Sequence, residues 1–255
     1  MTATPGSASP MAAEPRVALV RAGEPRVVRF AATERHLHTA HATAFMVMLF
    51  TGFVLYVPFM AQIFSDRPLM KAAHLAAAAV WLAALAVVLV LGDRRALRRT
   101  LREIERFDDD DLLFLRGRAV PQGRFNAGQK VHAIVQAALA VLFTVSGVLL
   151  WLGERDTALR LPGTLALHDA AALLAGALVA GHVYLAITRW ESLQGIWRGT
   201  VPESYAARHH GKWSAREHSG DGAPRPHGVA RLGLAAGIAG IGLVAAALLV
   251  RDVLG

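Results

Sequence analysis

Five long apolar segments dominate the sequence and constrain its fold more than any other feature. Each is close to the length of about 20 residues that an α-helix needs to cross a bilayer. They cover residues 42–64, 72–91, 131–152, 166–188 and 232–250. Hydrophobic residues make up 54% of the 255 residues and charged residues only 18%, whereas soluble domains typically have roughly 25% charged residues. The sequence therefore predicts an all-α integral membrane protein with five transmembrane helices.

Polar and proline-containing stretches divide the chain into four parts. Residues 1–30 include Pro5, Pro10, Pro15 and Pro25, which predicts a flexible N-terminal tail. This tail lacks the continuous apolar stretch of a cleaved signal peptide. Residues 31–213 contain the first four spans and form the main domain. Residues 214–228 are predicted to be a linker, and residues 229–255 hold an additional transmembrane helix.

The distribution of basic residues predicts how the chain is oriented in the membrane. Its formal net charge is +8, and the basic residues flank apolar runs, which favours a role in topology over nucleic-acid binding. Most of the 27 Lys and Arg residues lie in the N-terminal tail, in the loop between the second and third spans, or after the fourth span. These segments share one side, so we expect the N-terminus inside and the C-terminus outside.

The chain has no cysteine and 11 histidines, which limits the cofactors it can hold. Without cysteine there are no disulfides, no Cys-ligated iron–sulfur clusters, no thiolate zinc sites and no covalently attached c-type haem. A bound metal must therefore be held by His, Met, carboxylate or backbone oxygen. Since ionisable residues inside a span are costly, each histidine there is a candidate ligand.

The predicted topology sorts the histidines of the spans into two levels. His74 and His168 lie near the outer face, and His182 lies near the inner face, level with His36, His38 and His41. His168 and His182 are separated by roughly 21 Å along one helix and face the same side. Two histidines on facing helices form a bis-His haem site suited to electron transfer. The alternative is that each is an interfacial hydrogen-bonding residue. We expect His132 to be interfacial, and His209, His210, His218 and His227 to be solvated.

Three groups of residues resemble a known family. The first is the hexapeptide of residues 125–130 at the start of the third span, followed by Ser146-Gly147-Val148 and Trp151. The second is His168 with His182, continuing through Gly195, Gly199 and residues 207–213. The third is Arg35-x-x-His38 with Thr51-Gly52. Together they resemble the membrane cytochrome b (gamma) subunit of respiratory formate dehydrogenases over about residues 35–216. The departures are Thr39, where the family has an aromatic residue, and the fifth span.

The resemblance implies a four-helix cytochrome b bundle in residues 31–213 that holds two b-type haems, with the fifth helix added. The implied iron ligands are His74 with His168 for the outer haem and His38 with His182 for the inner one; the match favours His38 over His36 and His41. It further implies that an iron–sulfur (beta) subunit, fed by a molybdenum or tungsten catalytic (alpha) subunit, passes electrons to the outer haem. The implied location is the bacterial cytoplasmic (inner) membrane.

The resemblance also implies that ubiquinone or menaquinone is reduced near the inner face. Asn126 and Gly128 are the implied pocket residues, with Gln129 beside them. Chemistry alone leaves a second interpretation open, in which Asn126 is a helix N-cap and Gly128 allows a tight entry into the helix.

Other functions are compatible with the same pattern. The chain could be the cytochrome b of a hydrogenase or of another molybdoenzyme, or a haem-free membrane anchor. A transporter is disfavoured because the spans lack paired broken helices and, apart from Asp169, internal carboxylates. In every redox interpretation the chain is an electron-transfer subunit and the enzyme is the whole complex.

Overall fold

The computed structural model describes residues 24–214 and 229–255. In chain order the elements are β1 (Arg26–Val28), α1 (Ala32–Tyr56), α2 (Pro58–Ile63), α3 (Arg67–Leu91), α4 (Arg94–Glu105), α5 (Asp109–Leu115), α6 (Ala127–Arg155), a 3₁₀ turn (Thr157–Leu159), α7 (Thr164–Thr188), α8 (Trp190–Arg198), β2 (Thr200–Pro202), α9 (Glu203–His209), α10 (Gly211–Ser214) and α11 (Val229–Leu254). Residues 1–23 of the predicted tail and 215–228 of the predicted linker lie outside the described residues.

Five of these helices, α1, α3, α6, α7 and α11, are long and apolar enough to cross a membrane. They contain 25 to 29 residues, and at about 1.5 Å per residue each exceeds the roughly 30 Å hydrocarbon core. Helices suit this environment because they satisfy their backbone hydrogen bonds internally. The predicted all-α membrane fold is confirmed.

The ends of the first span differ from those predicted. Helix α1 begins at Ala32 rather than at 42, because its polar first turns extend beyond the apolar segment. It ends at Tyr56, before Pro58, the first residue of the short helix α2. Proline disfavours helical backbone in the residue before it and is well suited to the first turn of a new helix. The predicted span 42–64 is therefore two helices joined at Val57.

The four spans of the main domain pack in pairs. Helix α1 lies against α3 and also contacts α7, which packs on α6. A core cluster of Phe45, Leu139, Ala171 and Ala175 joins α1, α6 and α7. Small residues of α7 allow close approach: a methyl group added to Gly176 would lie 2.9 Å from the Phe53 ring. The two facing helix pairs leave space between them for a cofactor.

The polar segments gather at one end of the bundle, which we call the cap. It consists of the antiparallel pair β1–β2 and helices α4, α5, α8, α9 and α10. Buried charges tie it to the spans: the Arg124 guanidinium lies 2.7 Å from the Glu34 carboxylate of α1 and 2.6 Å from that of Glu103 in α4. Lys130 of α6 similarly lies 2.6 Å from the Asp111 carboxylate. Residues 26–28 of the predicted tail thus belong to the folded cap.

Candidate haem sites

His74 of α3 and His168 of α7 face each other at the end of the bundle opposite the cap. Their ring centroids are 6.4 Å apart and their planes are inclined by 65°. An imidazole nitrogen lies about 2 Å from a bound metal and about 1 Å from the centre of its own ring. Two axial histidines on one iron therefore have centroids separated by roughly 6 Å. The observed spacing matches a bis-His site.

Hydroxyl groups on neighbouring helices hold both of these rings. Thr51 Oγ1 lies 2.9 Å from Nδ1 of His74 and donates its own hydrogen to the Val47 carbonyl at 2.8 Å. Ser146 Oγ lies 2.8 Å from Nδ1 of His168 and donates to the Leu142 carbonyl at 2.7 Å.

A hydroxyl has one hydrogen to donate, and in both cases a carbonyl accepts it. With the hydroxyl hydrogen assigned to the carbonyl, each ring donates its Nδ1–H to the hydroxyl, and Nε2 is left unprotonated. This is the tautomer that binds iron through Nε2, and a hydrogen bond to the other ring nitrogen is typical of metal-ligating histidines.

A cavity of about 1070 Å³ surrounds this pair. Glycines form part of its wall: methyl groups added to Gly52 and Gly147 would lie 3.5 Å and 3.7 Å from Cε1 of His74 and of His168, respectively. Trp151 lines the same cavity, and its buried indole N–H has no hydrogen-bond partner among the residues that the structure describes. The cavity therefore has glycines beside both candidate ligands and a buried donor, the Trp151 N–H, that no described residue satisfies.

The second pair lies toward the cap. The rings of His38 in α1 and His182 in α7 have centroids 6.3 Å apart and planes inclined by 44°. This spacing is again that of two axial ligands on one iron. Because His168 and His182 share α7, the two sites are displaced from each other by roughly 21 Å along that helix.

The structure also distinguishes His38 from His41. The indole N–H of buried Trp81 points to Nδ1 of His41 at 3.2 Å. Indole is a donor only, so Nδ1 of His41 is the acceptor and the neutral ring carries its hydrogen on Nε2. His41 therefore lacks the free Nε2 lone pair that iron needs. Its ring stacks on Phe45 at a centroid distance of 5.2 Å. These contacts favour His38 as the α1 ligand.

His132 has a closer neighbour than expected. Its ring lies parallel to that of His182, with centroids 4.7 Å apart and planes inclined by 7°. The sequence predicts an interfacial residue without a partner. It indicates the depth of His132 but not the rotation of α6 about its axis, so it does not predict this contact. His132 packs directly on a candidate ligand.

The candidate quinone residues occupy the first turn of α6. Asn126 Oδ1 accepts a hydrogen bond from the Gln129 backbone N–H at 2.9 Å, and Gln129 Oε1 accepts one from the Asn126 N–H at 3.1 Å. This is a capping box. Gln129 Oε1 also accepts from buried Arg29 at 3.2 Å. Their carbonyl oxygens therefore serve the helix start, and Gly128 is exposed. Neither amide NH₂ group donates a hydrogen bond to any residue in 24–214 or 229–255.

The loop before Asn126 is held by a histidine that we expected to be solvated. His210 is only 2% exposed, and its Nδ1 lies 2.7 Å from the Gly123 carbonyl. Burial, followed by the nearby Arg29 charge, lowers the pKa of His210 to about 3. That prediction was wrong because α9 and α10 fold back onto the loop. His209 is exposed as expected, and His218 and His227 lie outside the described residues.

Comparison with known proteins identifies the family. The sequence pattern of prokaryotic cytochrome b561 matches residues 29–199, which include all four paired histidines. The chain belongs to this family. Membership in a cytochrome b family implies b-type haem and membrane electron transfer. The fifth helix, α11, lies outside the matched region.

Similar individual proteins agree with the family assignment. The cytochrome b556(fdo) subunit of formate dehydrogenase from Escherichia coli K12 is 31% identical over 94 residues, covering 36% of this cytochrome and 44% of the relative. The chain thus spans less than half the length of that curated relative. The formate dehydrogenase cytochrome b556 subunit from Haemophilus influenzae is 22% identical over 204 residues, covering 75% and 84% of the two chains. The resemblance inferred from the sequence is confirmed.

The site residues of this cytochrome fit the cofactor that the family implies. The ring spacings suit axial ligation, and the hydroxyl contacts select the ligating tautomer of His74 and His168. The cavity volume of about 1070 Å³ is slightly above the roughly 300–1,000 Å³ that is usual for small-molecule sites. The Trp151 N–H, which has no partner in the part of the chain that the structure describes, can donate a hydrogen bond to a polar group of the cofactor.

Proposed function

We propose that this chain is the cytochrome b subunit of a respiratory formate dehydrogenase and carries electrons across the membrane through two b-type haems. One observation supports the proposal most directly: α7 offers two histidines, each facing a histidine of another helix at 6.3 or 6.4 Å. His74 and His168 would hold one haem, and His38 and His182 the other. When bound, each haem iron supplies a one-electron carrier. Because each iron would be held by two histidines, electron transfer would be favoured over oxygen chemistry.

The protein's own residues set the properties of these sites. Thr51 and Ser146 keep the Nδ1–H of their histidines occupied, so that Nε2 points its lone pair away from the supporting helix. Hydrogen bonding at Nδ1 also makes imidazole a stronger ligand. His132 restricts rotation of the His182 ring through parallel packing. The cavity around His74 and His168 is lined mainly by apolar residues of α1, α3, α6, α7 and α11.

We propose that the cap faces the cytoplasm. Its helix α4 carries five arginines, at positions 94, 95, 98, 99 and 102, and loops rich in basic residues remain on the cytoplasmic side of bacterial inner membranes. The N-terminus is then inside and the C-terminal end of α11 outside. The opposite end, with His74 and His168, would receive electrons from an iron–sulfur subunit connected to a molybdenum or tungsten catalytic subunit.

Quinone would be reduced near the start of α6. His132 is in the second turn of α6 and stacks on His182, so Asn126 lies roughly 9 Å from His132 along the helix. The exposed Gly128 leaves room for a flat ring, and the side-chain amides of Asn126 and Gln129 can donate to quinone carbonyls. A pocket at the cytoplasmic face would let the two protons of quinone reduction come from the cytoplasm.

The test is purification of the chain with its partners from membranes. A reduced-minus-oxidised spectrum and a pyridine haemochrome assay are expected to give two b-type haems per chain. Reduction of these haems by formate, with a molybdenum or tungsten subunit in the same complex, would support the assignment. Reduction by hydrogen but not by formate would assign the chain to a hydrogenase, and a chain without haem would contradict an electron-transfer role.

A further inference from the structure

Helix α11 lies outside the residues that the family matches, but it packs closely against the main domain. Ala235 and Ala246 are buried in its contact surface, and a methyl group on Gly242 would overlap Ala83 of α3. At the cap end, Arg231 donates to the backbone carbonyls of Val90 at 2.9 Å and Gly92 at 3.1 Å. The helix therefore packs on α3 along its length.

The other end of α11 reaches a different helix. The Asp252 carboxylate forms an ion pair with Arg155, in the last turn of α6. Since α11 packs on α3 and its end is tied to α6, it bridges two helices that border the 1070 Å³ cavity. Five residues of its last turns line this cavity: Ala245, Leu248, Leu249, Arg251 and Asp252.

We propose that α11 is a wall of the haem site at His74 and His168, and that Arg251 binds a propionate carboxylate of that haem. This inference rests on the proposed function. A b-type haem carries its two propionates on one edge, and a carboxylate at membrane depth needs charged or hydrogen-bonding partners. The cavity provides such groups at one end: the unpartnered Trp151 N–H, Arg155 and Arg251.

Arg251 is the cation best suited to this role. The charge of Arg155 is already shared with Asp252, and its guanidinium packs over the Trp151 ring at 4.1 Å. Arg251 forms no ion pair with any residue in 24–214 or 229–255. It lies in the last turn of α11, so its side chain can reach the cavity from the membrane surface. The apolar residues Leu248 and Leu249 line the same cavity beside Arg251.

Two leucines of α11 provide a matched test. Leu248 and Leu243 are similarly exposed, at 58% and 65%, but only Leu248 lines the cavity. Leu248→Trp should fill the haem space and reduce the haem content of the purified complex from two per chain toward one. Leu243→Trp adds the same ring on the same helix and should leave two haems. Haem is measured by pyridine haemochrome, with protein content as the reference.

Arg251 is tested by redox titration of the purified complex. Arg251→Gln should lower the midpoint potential of one haem, because a nearby positive charge stabilises the reduced iron. Arg251→Lys keeps the charge and should have a midpoint potential close to that of the wild type. A wild-type chain without haem would overturn the proposed function and this inference together. If the wild type holds two haems and Leu248→Trp keeps both, α11 is not a wall of the site. If the Arg251→Gln and wild-type potentials are identical, Arg251 does not bind a propionate. Either result would leave the proposed function standing.

Discussion

The Thr51 hydroxyl of α1 accepts a hydrogen bond from Nδ1–H of His74 in α3 at 2.9 Å. The contact crosses between two helices, so it fixes the orientation of the ring relative to the bundle. Ser146 of α6 makes the equivalent contact to His168 of α7 at 2.8 Å. Each candidate ligand at this end is thus held by a hydroxyl whose own hydrogen is already donated to a backbone carbonyl of its helix.

Removing the Thr51 hydroxyl should weaken haem binding at this site. Thr51→Val keeps the shape of the side chain but leaves Nδ1–H of His74 without its acceptor, and loss of such a partner typically costs about 10- to 100-fold in metal affinity. The weaker ligand should also raise the midpoint potential, because it stabilises ferric iron less. Thr51→Ser retains the hydroxyl and should behave like the wild type. If Thr51→Val and Thr51→Ser retain haem equally during dialysis and have equal midpoint potentials, the Thr51 hydroxyl does not support His74 as a ligand.

The two histidine pairs should lose their haems separately. His74→Ala or His168→Ala should remove one haem and leave the other largely in place, since the sites are separated by roughly 21 Å. His182→Ala should remove the second haem instead. Pyridine haemochrome assays of each purified variant check this, with His36→Ala, an exposed histidine of α1, as the control. Two haems in both His74→Ala and His168→Ala would refute the pairing.

His38 and His41 should differ in their effect on the site near the cap. We expect His38→Ala to lose the haem shared with His182. His41→Ala should keep it, because the Trp81 indole N–H occupies Nδ1 of His41. Low-temperature absorbance spectra would separate the two haems. The opposite pattern would place the α1 ligand one turn further along the helix.

The structure shows which features the sequence could predict. Hydropathy was sufficient for the five spans, because a membrane helix needs only length and an apolar surface. The position of each histidine along its span was sufficient to predict which histidines lie at the same depth in the membrane. It did not predict the stacking of His132 on His182 or the Trp81 contact, because both depend on how helices rotate against each other. The prediction that His210 is solvated was wrong for a related reason. Its segment is hydrophilic in sequence but is buried where the cap folds over it.

Buried His210 should make the stability of the cap depend on pH. Its pKa is lowered to about 3, chiefly by burial, whereas an unfolded chain has a histidine pKa of about 6.5. Below pH 6.5 the unfolded state gains a proton that the folded state does not bind. Stability therefore falls by up to about 1.4 kcal/mol per pH unit as the pH drops from about 6.5 toward 3.

His210→Gln removes this titration and tests its contribution. The variant should lose less stability than the wild type between pH 7.5 and pH 5, measured as the shift in apparent unfolding temperature of the detergent-solubilised protein. His209→Gln, at the exposed neighbour, is the control and should change the pH dependence less. If His210→Gln and the wild type shift equally, burial of His210 does not contribute to acid sensitivity.

The last prediction separates the capping and quinone roles of Asn126. Its Oδ1 caps α6 through the Gln129 N–H, so Asn126→Ala should cost about 1 kcal/mol of stability as well as any quinone contact. Asn126→Asp keeps a capping oxygen but lacks the amide NH₂ donor. If that donor binds a quinone carbonyl, both variants should retain two haems and both should slow haem reoxidation by added quinone.

Gly128 provides an independent test of the same pocket. A Cβ at this exposed first-turn position would lie 3.4 Å from the capping oxygen Asn126 Oδ1, an ordinary van der Waals contact. Gly128→Leu should therefore keep the cap while its side chain intrudes on a bound ring and weakens quinone or inhibitor binding. Stopped-flow absorbance of haem reoxidation measures all three variants. Slow reoxidation in Asn126→Ala with a wild-type rate in Asn126→Asp would assign the effect to the helix cap. Wild-type rates in Asn126→Asp and Gly128→Leu, with haem content unchanged, would mean that quinone binds elsewhere.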